Sequence, residues 1–259
     1  MKTFEYVAHP SRVIFGAGYL DRVADEVRAF GAQRVFLAHD PTSAGFAGKV
    51  AGELAAFADV RAWDQVAQHV PIDLATPARE AVDAHRSDLV LSIGGGSTTG
   101  LAKAIALSHA LPIVAVPTTY AGSEMTTIYG LTGDRHKQTG KSPLVLPKTV
   151  VYDPLLTLGL PANVTGPSAF NSLAHCVEGC TCRATTRWRA GLPLRACGRS
   201  AMGCHGLCAR RPTSMPGATC CTARCWVGCP SARLVRGSIT ACVTSSGASS
   251  ILCTQTLTR

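Results

Sequence analysis

The chain has 259 residues, 46% of them apolar, and a mean hydropathy of +0.17, which supports a sizeable core and excludes global disorder. Its formal charge of +9 averages two unlike parts: residues 1–178 carry 14 Lys and Arg against all 16 acidic residues, whereas residues 179–259 carry 11 Arg, no Lys and no acid. No window reaches 18 apolar residues and Met1-Lys2-Thr3-Phe4-Glu5 opens no export signal, so a transmembrane helix is not expected and a cytoplasmic protein is.

Val13-Ile14-Phe15 is a short apolar run closed by Gly16-Ala17-Gly18. An amphipathic helix follows, with Leu20, Val23, Ala24, Val27 and Phe30 on one face and Gly31 as its end. Arg34 to Ala38 reads as a buried strand that stops at His39-Asp40-Pro41. A second helix covers roughly 43–57, and Val60 to Trp63 suits another strand. Residues 72–86 read as helix and Asp88 to Ile93 as strand. Residues 97–108 are again helical, and Pro112 to Pro117 is a strand. Strands and helices alternating at these lengths predict an α/β fold with a parallel sheet covered on both faces.

Gly94-Gly95-Gly96-Ser97 lies between a strand and a helix. Such a run is either a tight turn or a phosphate cradle. In the second case the glycines admit a pyrophosphate, the helix amides and dipole hold it, and Ser97 and Thr98 add hydroxyls. Asp40 also ends a strand, where an acid meets a ribose hydroxyl or simply starts a turn before Pro41; the turn is the simpler expectation. Pro117-Thr118-Thr119-Tyr120-Ala121-Gly122-Ser123-Glu124 follows the next strand and opens on the same sheet edge. Thr165-Gly166-Pro167 reads as a helix start with Pro in the first turn. Asn171 and His175 follow at i, i+4, a spacing that suits a metal pair or a core histidine beside an amide; Asn is a weak ligand, which favours the latter.

Taken together these segments resemble the iron-containing alcohol dehydrogenase superfamily, and most closely its maleylacetate reductase branch. The carriers are the run from Gly94 to Lys103, the run from Pro117 to Thr126, Val150-Val151-Tyr152-Asp153-Pro154, and the run from Gly166 to Glu178. The general superfamily has Asp where this chain has Gly100, and a metal-binding Asp where it has Asn171; both departures resemble the branch. The resemblance implies a nucleotide-binding domain over 1–160 and the start of a helical domain over 161–178. It implies an NAD(P)-dependent oxidoreductase that reduces maleylacetate, a small dicarboxylate, to 3-oxoadipate in the breakdown of aromatic compounds. The alternatives are another iron-type alcohol dehydrogenase acting on small alcohols, or a non-catalytic nucleotide-binding remnant. NADH or NADPH would sit on Gly94, Gly95, Gly96, Ser97, Thr98, Thr118, Thr119 and Ser123, with Asn171 and His175 at the catalytic side. Asn171 in the ligand slot speaks against a divalent metal, so no metal site is expected. Neither nucleic acid nor membrane is an expected partner, and the family's homodimer is left open.

Past Glu178 the resemblance stops. All twelve Cys lie within residues 176–253. A zinc module fits poorly, because Cys204-x3-Cys208 and Cys221-x3-Cys225-x3-Cys229 are spaced more widely than zinc knuckles. A nucleic-acid arm fits no better, because the Arg residues are scattered without Lys or an aromatic stacking set. A change of reading frame accounts for more. Joining each codon's third base to the next codon's first two permits Leu-Tyr-x-Pro-x-x-Asn-Pro from Gly179 onward, a family pattern. The same shift over Gly237 to Gly247 permits Leu-His-His-x-Leu-Cys-His-Val-Leu-Gly-Gly, and over Cys253 to Thr258 His-Ala-(Asn/Asp)-Thr-His. Residues 179–259 are therefore expected to be an out-of-frame tail without packed structure, the helical C-terminal domain to be largely lost, and the chain to be inactive or impaired.

Overall fold

The computed structural model describes residues 11–181 apart from 68–69 and 134–135, with the backbone alone for 136–137, 162, 173 and 175–181. Of the tail over 179–259, expected to be irregular, residues 179–181 continue the helix that begins at Ala162, and 182–259 lie outside the described residues.

In chain order the elements are β1 (Arg12–Phe15), α1 (Val23–Ala29), β2 (Arg34–His39), α2 (Ala44–Leu54), β3 (Asp59–Trp63), α3 (Ile72–His85), β4 (Leu89–Gly94), α4 (Gly96–His109) and β5 (Ile113–Pro117). They continue with β6 (Ile128–Gly133), β7 (His136–Lys141), β8 (Thr149–Tyr152) and α5 (Ala162–Thr181). Six strands form one sheet in the order β1-β8-β5-β4-β2-β3, and every pairing in it is parallel. The expected α/β architecture is therefore present. β2, β4, β5 and β8 are apolar runs because their side chains are covered on both faces.

The alternation of side chains along β2 divides the core. Val35 and Leu37 face α1 and α2, packing with Val23, Val27, Val50 and Leu54. Phe36 and Ala38 face α3 and α4, packing with Ala78, Val82, Leu101 and Ile105. The helix after β2 thus lies on one face and the helix after β4 on the other. β2 and β4 are neighbours, with Ala38 beside Ser92 and His39 beside Ile93. The crevice between their carboxyl ends is a topological switch point, where open α/β sheets bind ligands.

Several elements depart from the sequence expectation. Phe30 is exposed rather than on the buried face, because α1 ends at Ala29 and Gly31 follows in the left-handed region (φ +69°). α2 stops at Leu54, short of residue 57. α5 begins at Ala162 and not at Thr165, because the Pro161 carbonyl accepts from both the Val164 and Thr165 amides and starts the helix a turn early. Pro167 therefore stands inside the helix rather than in its first turn. The antiparallel pair β6–β7, with its polar and glycine residues, follows no strong alternation, and no sequence pattern marks it.

Among the described residues no helix is long and apolar enough to cross a membrane.

Candidate functional site

The switch-point crevice is built from four segments. β4 ends at Gly94, whose φ of +156° turns the chain into α4. Gly95 is the N-cap of α4 in an extended conformation and makes no side-chain cap, so the first amides of the helix open toward the sheet edge. Beside it β5 ends at Pro117, paired with Gly94, and the Thr118 amide donates to the Gly94 carbonyl at 2.9 Å. The hydroxyl loop that follows lies directly on the glycine loop. A methyl at Gly95 would meet Thr119 Cγ2 at 3.2 Å, and one at Gly96 would meet Ala121 Cβ at 2.8 Å. Glycine at 95 and 96 is what lets the two loops close together.

From the other side of the crevice comes Asp40. It caps the turn Pro41–Ser43 as the simpler reading expected: Oδ1 accepts from the Ser43 amide at 3.0 Å and the Thr42 hydroxyl at 2.6 Å. Its second oxygen does more. Oδ2 accepts from the Gly95 amide at 2.9 Å and from Thr98 Oγ1 at 3.2 Å, bridging the switch point. Burial pushes the Asp40 carboxyl up, but donation from Thr42, Gly95, Ser43 and Thr98 outweighs it and holds the carboxyl below its ordinary value. The group is therefore an anion resting on the first amide of the cradle.

The predicted cofactor residues divide by exposure. Gly95, Gly96, Ser97 and Thr119 are partly exposed in the crevice. Gly94, Thr98 and Thr118 are buried: the Thr98 hydroxyl is given to Asp40, and Thr118 Oγ1 lies 3.4 Å from Ser43 Oγ. The Ser123 hydroxyl is buried with no hydrogen-bond partner among the described residues. Thr98 and Thr118 thereby tie the loops of the crevice to one another.

α5 is fastened to the hydroxyl loop. Ser168 Oγ accepts from the Tyr120 amide at 3.1 Å, Ser172 Oγ donates to the Tyr120 carbonyl at 3.4 Å, and Tyr120 Oη donates to Thr157 Oγ1 at 3.2 Å. Asn171, partly buried, stands next to Ser172 on this helix, and His175 follows one turn later; the His175 side chain lies outside what is described. Sequence patterns gave no sign of Ser168 and Ser172 as anchors.

Gly100 also has a physical reason. A methyl there would lie 2.5 Å from Val70 Cγ2, so Val70 fills the space over the second turn of α4. Val70 is 7% exposed, has φ +49°, a strained conformation for a β-branched residue, and its carbonyl accepts from the Thr132 amide at 3.1 Å. Gly100→Asp is expected to lower stability by about 1–3 kcal/mol through overpacking. Val70→Ala in the same chain is expected to recover part of that loss; urea denaturation of the single and double variants checks both.

Residues 10–154 match the profile of the iron-containing alcohol dehydrogenase family. The chain is 48% identical over 178 residues to the maleylacetate reductase of Burkholderia cepacia, covering 69% of this chain and 50% of that protein. It is 49% identical over 178 residues to maleylacetate reductase 2 of Cupriavidus pinatubonensis, covering 67% of this chain and 49% of that one. Its fold superposes on the crystal structure of maleylacetate reductase from Rhizobium sp. strain MTP-10005 with a TM-score of 0.83 and 35% identity, over 88% of this chain and 65% of that one. The chain spans about half the length of the curated relatives it matches.

Proposed function

The chain belongs to the iron-containing alcohol dehydrogenase family, a family of oxidoreductases, and on that premise we propose that it is the nucleotide-binding half of a maleylacetate reductase. The reaction is reduction of maleylacetate to 3-oxoadipate with a nicotinamide cofactor. The observation that carries the reading is the switch-point crevice, where the Gly95 cradle, the N-terminus of α4 and Thr119 close on one another.

The residues present fit such a cofactor. Gly96 and Ser97, next to the Gly95 amide that Asp40 takes, offer backbone amides to a pyrophosphate, with the helix dipole behind them. When bound, the cofactor supplies hydride to the substrate. The chain's own groups bind, orient and exclude water. By the family resemblance Asn171 and His175 would serve the substrate side, where a polar group must meet the developing charge; both lie on α5, which is fastened at Tyr120 through Ser168 and Ser172. The family's name carries iron, but the amide at Asn171, where the general superfamily has a ligand Asp, is a poor ligand and speaks against a metal there.

The reading favours NADH over NADPH, because a 2′-phosphate at the end of β2 would meet the Asp40 carboxylate. We expect NADH to bind roughly a hundredfold more tightly than NADPH, the scale of a like-charge contact. In Asp40→Ala both affinities fall and the gap narrows to about threefold. Fluorescence titration with each cofactor measures the ratio; equal affinities in the unmodified chain would sink this preference.

We also infer that residues after about Glu178 are out of frame, so that the family's sequence pattern continues in the gene but not in this chain. Support comes from the 178-residue extent of the match within 259 residues and from the change in acid and Cys content at the same point. NADH titration with and without maleylacetate tests the whole reading: saturable cofactor binding is expected, and its absence would overturn it.

A further inference from the structure

α4 is apolar from Leu101 to Ala106 except for Lys103, which is 1% exposed. A cation in such a position is rare unless it is fully engaged. Lys103 Nζ donates to the carbonyl oxygens of Ser123, Thr126 and Ile128, each at 2.7 Å, and reaches Thr126 Oγ1 at 3.1 Å. An ammonium has three N–H groups for three carbonyls; a neutral amine has two. Glu124, fully buried, is the carboxylate that acts on Nζ, and it accepts from Tyr152 Oη at 2.7 Å. Of the other charged groups on α3, which packs on α4, Asp73 and Glu80 are exposed. Arg79 of α3 donates to the Ala104 carbonyl, and Asp83 of α3 pairs with His109. On β6, the Tyr129 ring lies against Gly140.

The clamped segment continues the hydroxyl loop. Thr119 and Ala121 lie on Gly95 and Gly96, the loop passes Gly122, and Ser123 to Ile128 is gathered by Lys103 about two turns down the helix that begins at Gly96. One helix therefore holds the loop at both ends. We propose that Lys103 is a positioning residue of the cofactor crevice: its ammonium clamps Ser123–Ile128 to α4 and so sets Thr119 and Ala121 against the glycine cradle. This rests on the reading that a nicotinamide cofactor binds there. Burial pushes the Lys103 ammonium down to about 7, against the pull of Glu124, so the clamp loses a donor across the neutral range.

The sign of this effect separates it from simple structural support. The folded pKa lies below the unfolded value of about 10.4, so the contribution of Lys103 to global stability rises with pH from about 7 upward. Cofactor affinity should fall over the same window. The test uses the full chain, with NADH as probe, at pH 6.0 and 8.5, beside deuterium uptake of residues 118–128 corrected for intrinsic rate. Expected are an NADH Kd higher at pH 8.5 by roughly tenfold, one charged hydrogen bond lost, and faster uptake in that segment without cofactor. In Lys103→Met uptake is fast at both pH values and the Kd is high and flat. A Kd and uptake unchanged with pH in the unmodified chain overturn the proposal while the cofactor reading stands. Acceleration spread evenly over β2, β4 and β5 also overturns it, because the clamp is local. Absence of NADH binding at both pH values overturns it through the reading on which it rests.

Discussion

Gly94→Ala is expected to lower stability by about 3 kcal/mol and to weaken NADH binding by roughly a hundredfold. A methyl at position 94 would lie 2.3 Å from Asp40 Oδ2 and 2.4 Å from Thr98 Oγ1, and the backbone there has φ +156°. Neither oxygen can stay. Moving Asp40 removes the acceptor of the Gly95 amide and the Thr98 hydroxyl, and it disturbs the cap of the Pro41–Ser43 turn. The loss combines strain with buried donors left without acceptors, two effects of about 1–3 kcal/mol each. The glycines of α2 give the contrast. Nothing lies within 4 Å of a methyl at Gly48, and its helical backbone suits alanine, so Gly48→Ala should raise stability by about 0.5–1 kcal/mol. Urea denaturation of the two variants, with NADH titration, decides the matter. A Gly94→Ala protein as stable as its parent would mean that Asp40 does not organise the cradle.

The same contact shows what a sequence can and cannot disclose. β2, β4 and β5 are legible because strands buried on both faces must be apolar throughout, and Gly94 to Gly96 are legible because only glycine admits such close approach. Asp40 was legible as a turn former, since that role depends on Thr42 and Ser43 nearby. Its bond to Gly95 spans 55 residues and exists only because β2 and β4 are neighbours in the sheet. Lys103 did leave a local sign, a charge inside an apolar helix, but its acceptors are backbone carbonyls 20 to 25 residues away, and every residue has a carbonyl. The β6–β7 pair was hidden for another reason: a polar two-stranded ribbon buries too little to impose a pattern. Local chemistry was readable; contacts made by sheet order were not.

The largest effect is expected from replacing the tail. Residues 1–178 joined to the second half of the Burkholderia cepacia relative should reduce maleylacetate, and the 259-residue chain should turn over at least about ten-thousandfold more slowly. On the proposed reading the crevice binds the cofactor, but proton delivery and stabilisation of the developing charge need groups on the substrate side. Such groups are worth about 10²–10⁴ and 10²–10³ in rate respectively. Among the described residues that side has only the beginning of α5. Leu155, Leu158, Val164 and Phe170 are exposed on α5 and the segment leading to it, apolar surface that a second domain would cover. The chimera restores both the missing groups and that cover, so its stability should rise together with its rate. Steady-state oxidation of NADH with maleylacetate compares the two proteins directly. Comparable turnover by the 259-residue chain would show that its tail is a working part of the enzyme and that the frame hypothesis is wrong. A folded chimera that binds NADH and leaves maleylacetate unreduced would place the error instead in the substrate assigned to the head. If the frame explanation holds, the gene carries a single-base gain or loss near codon 179.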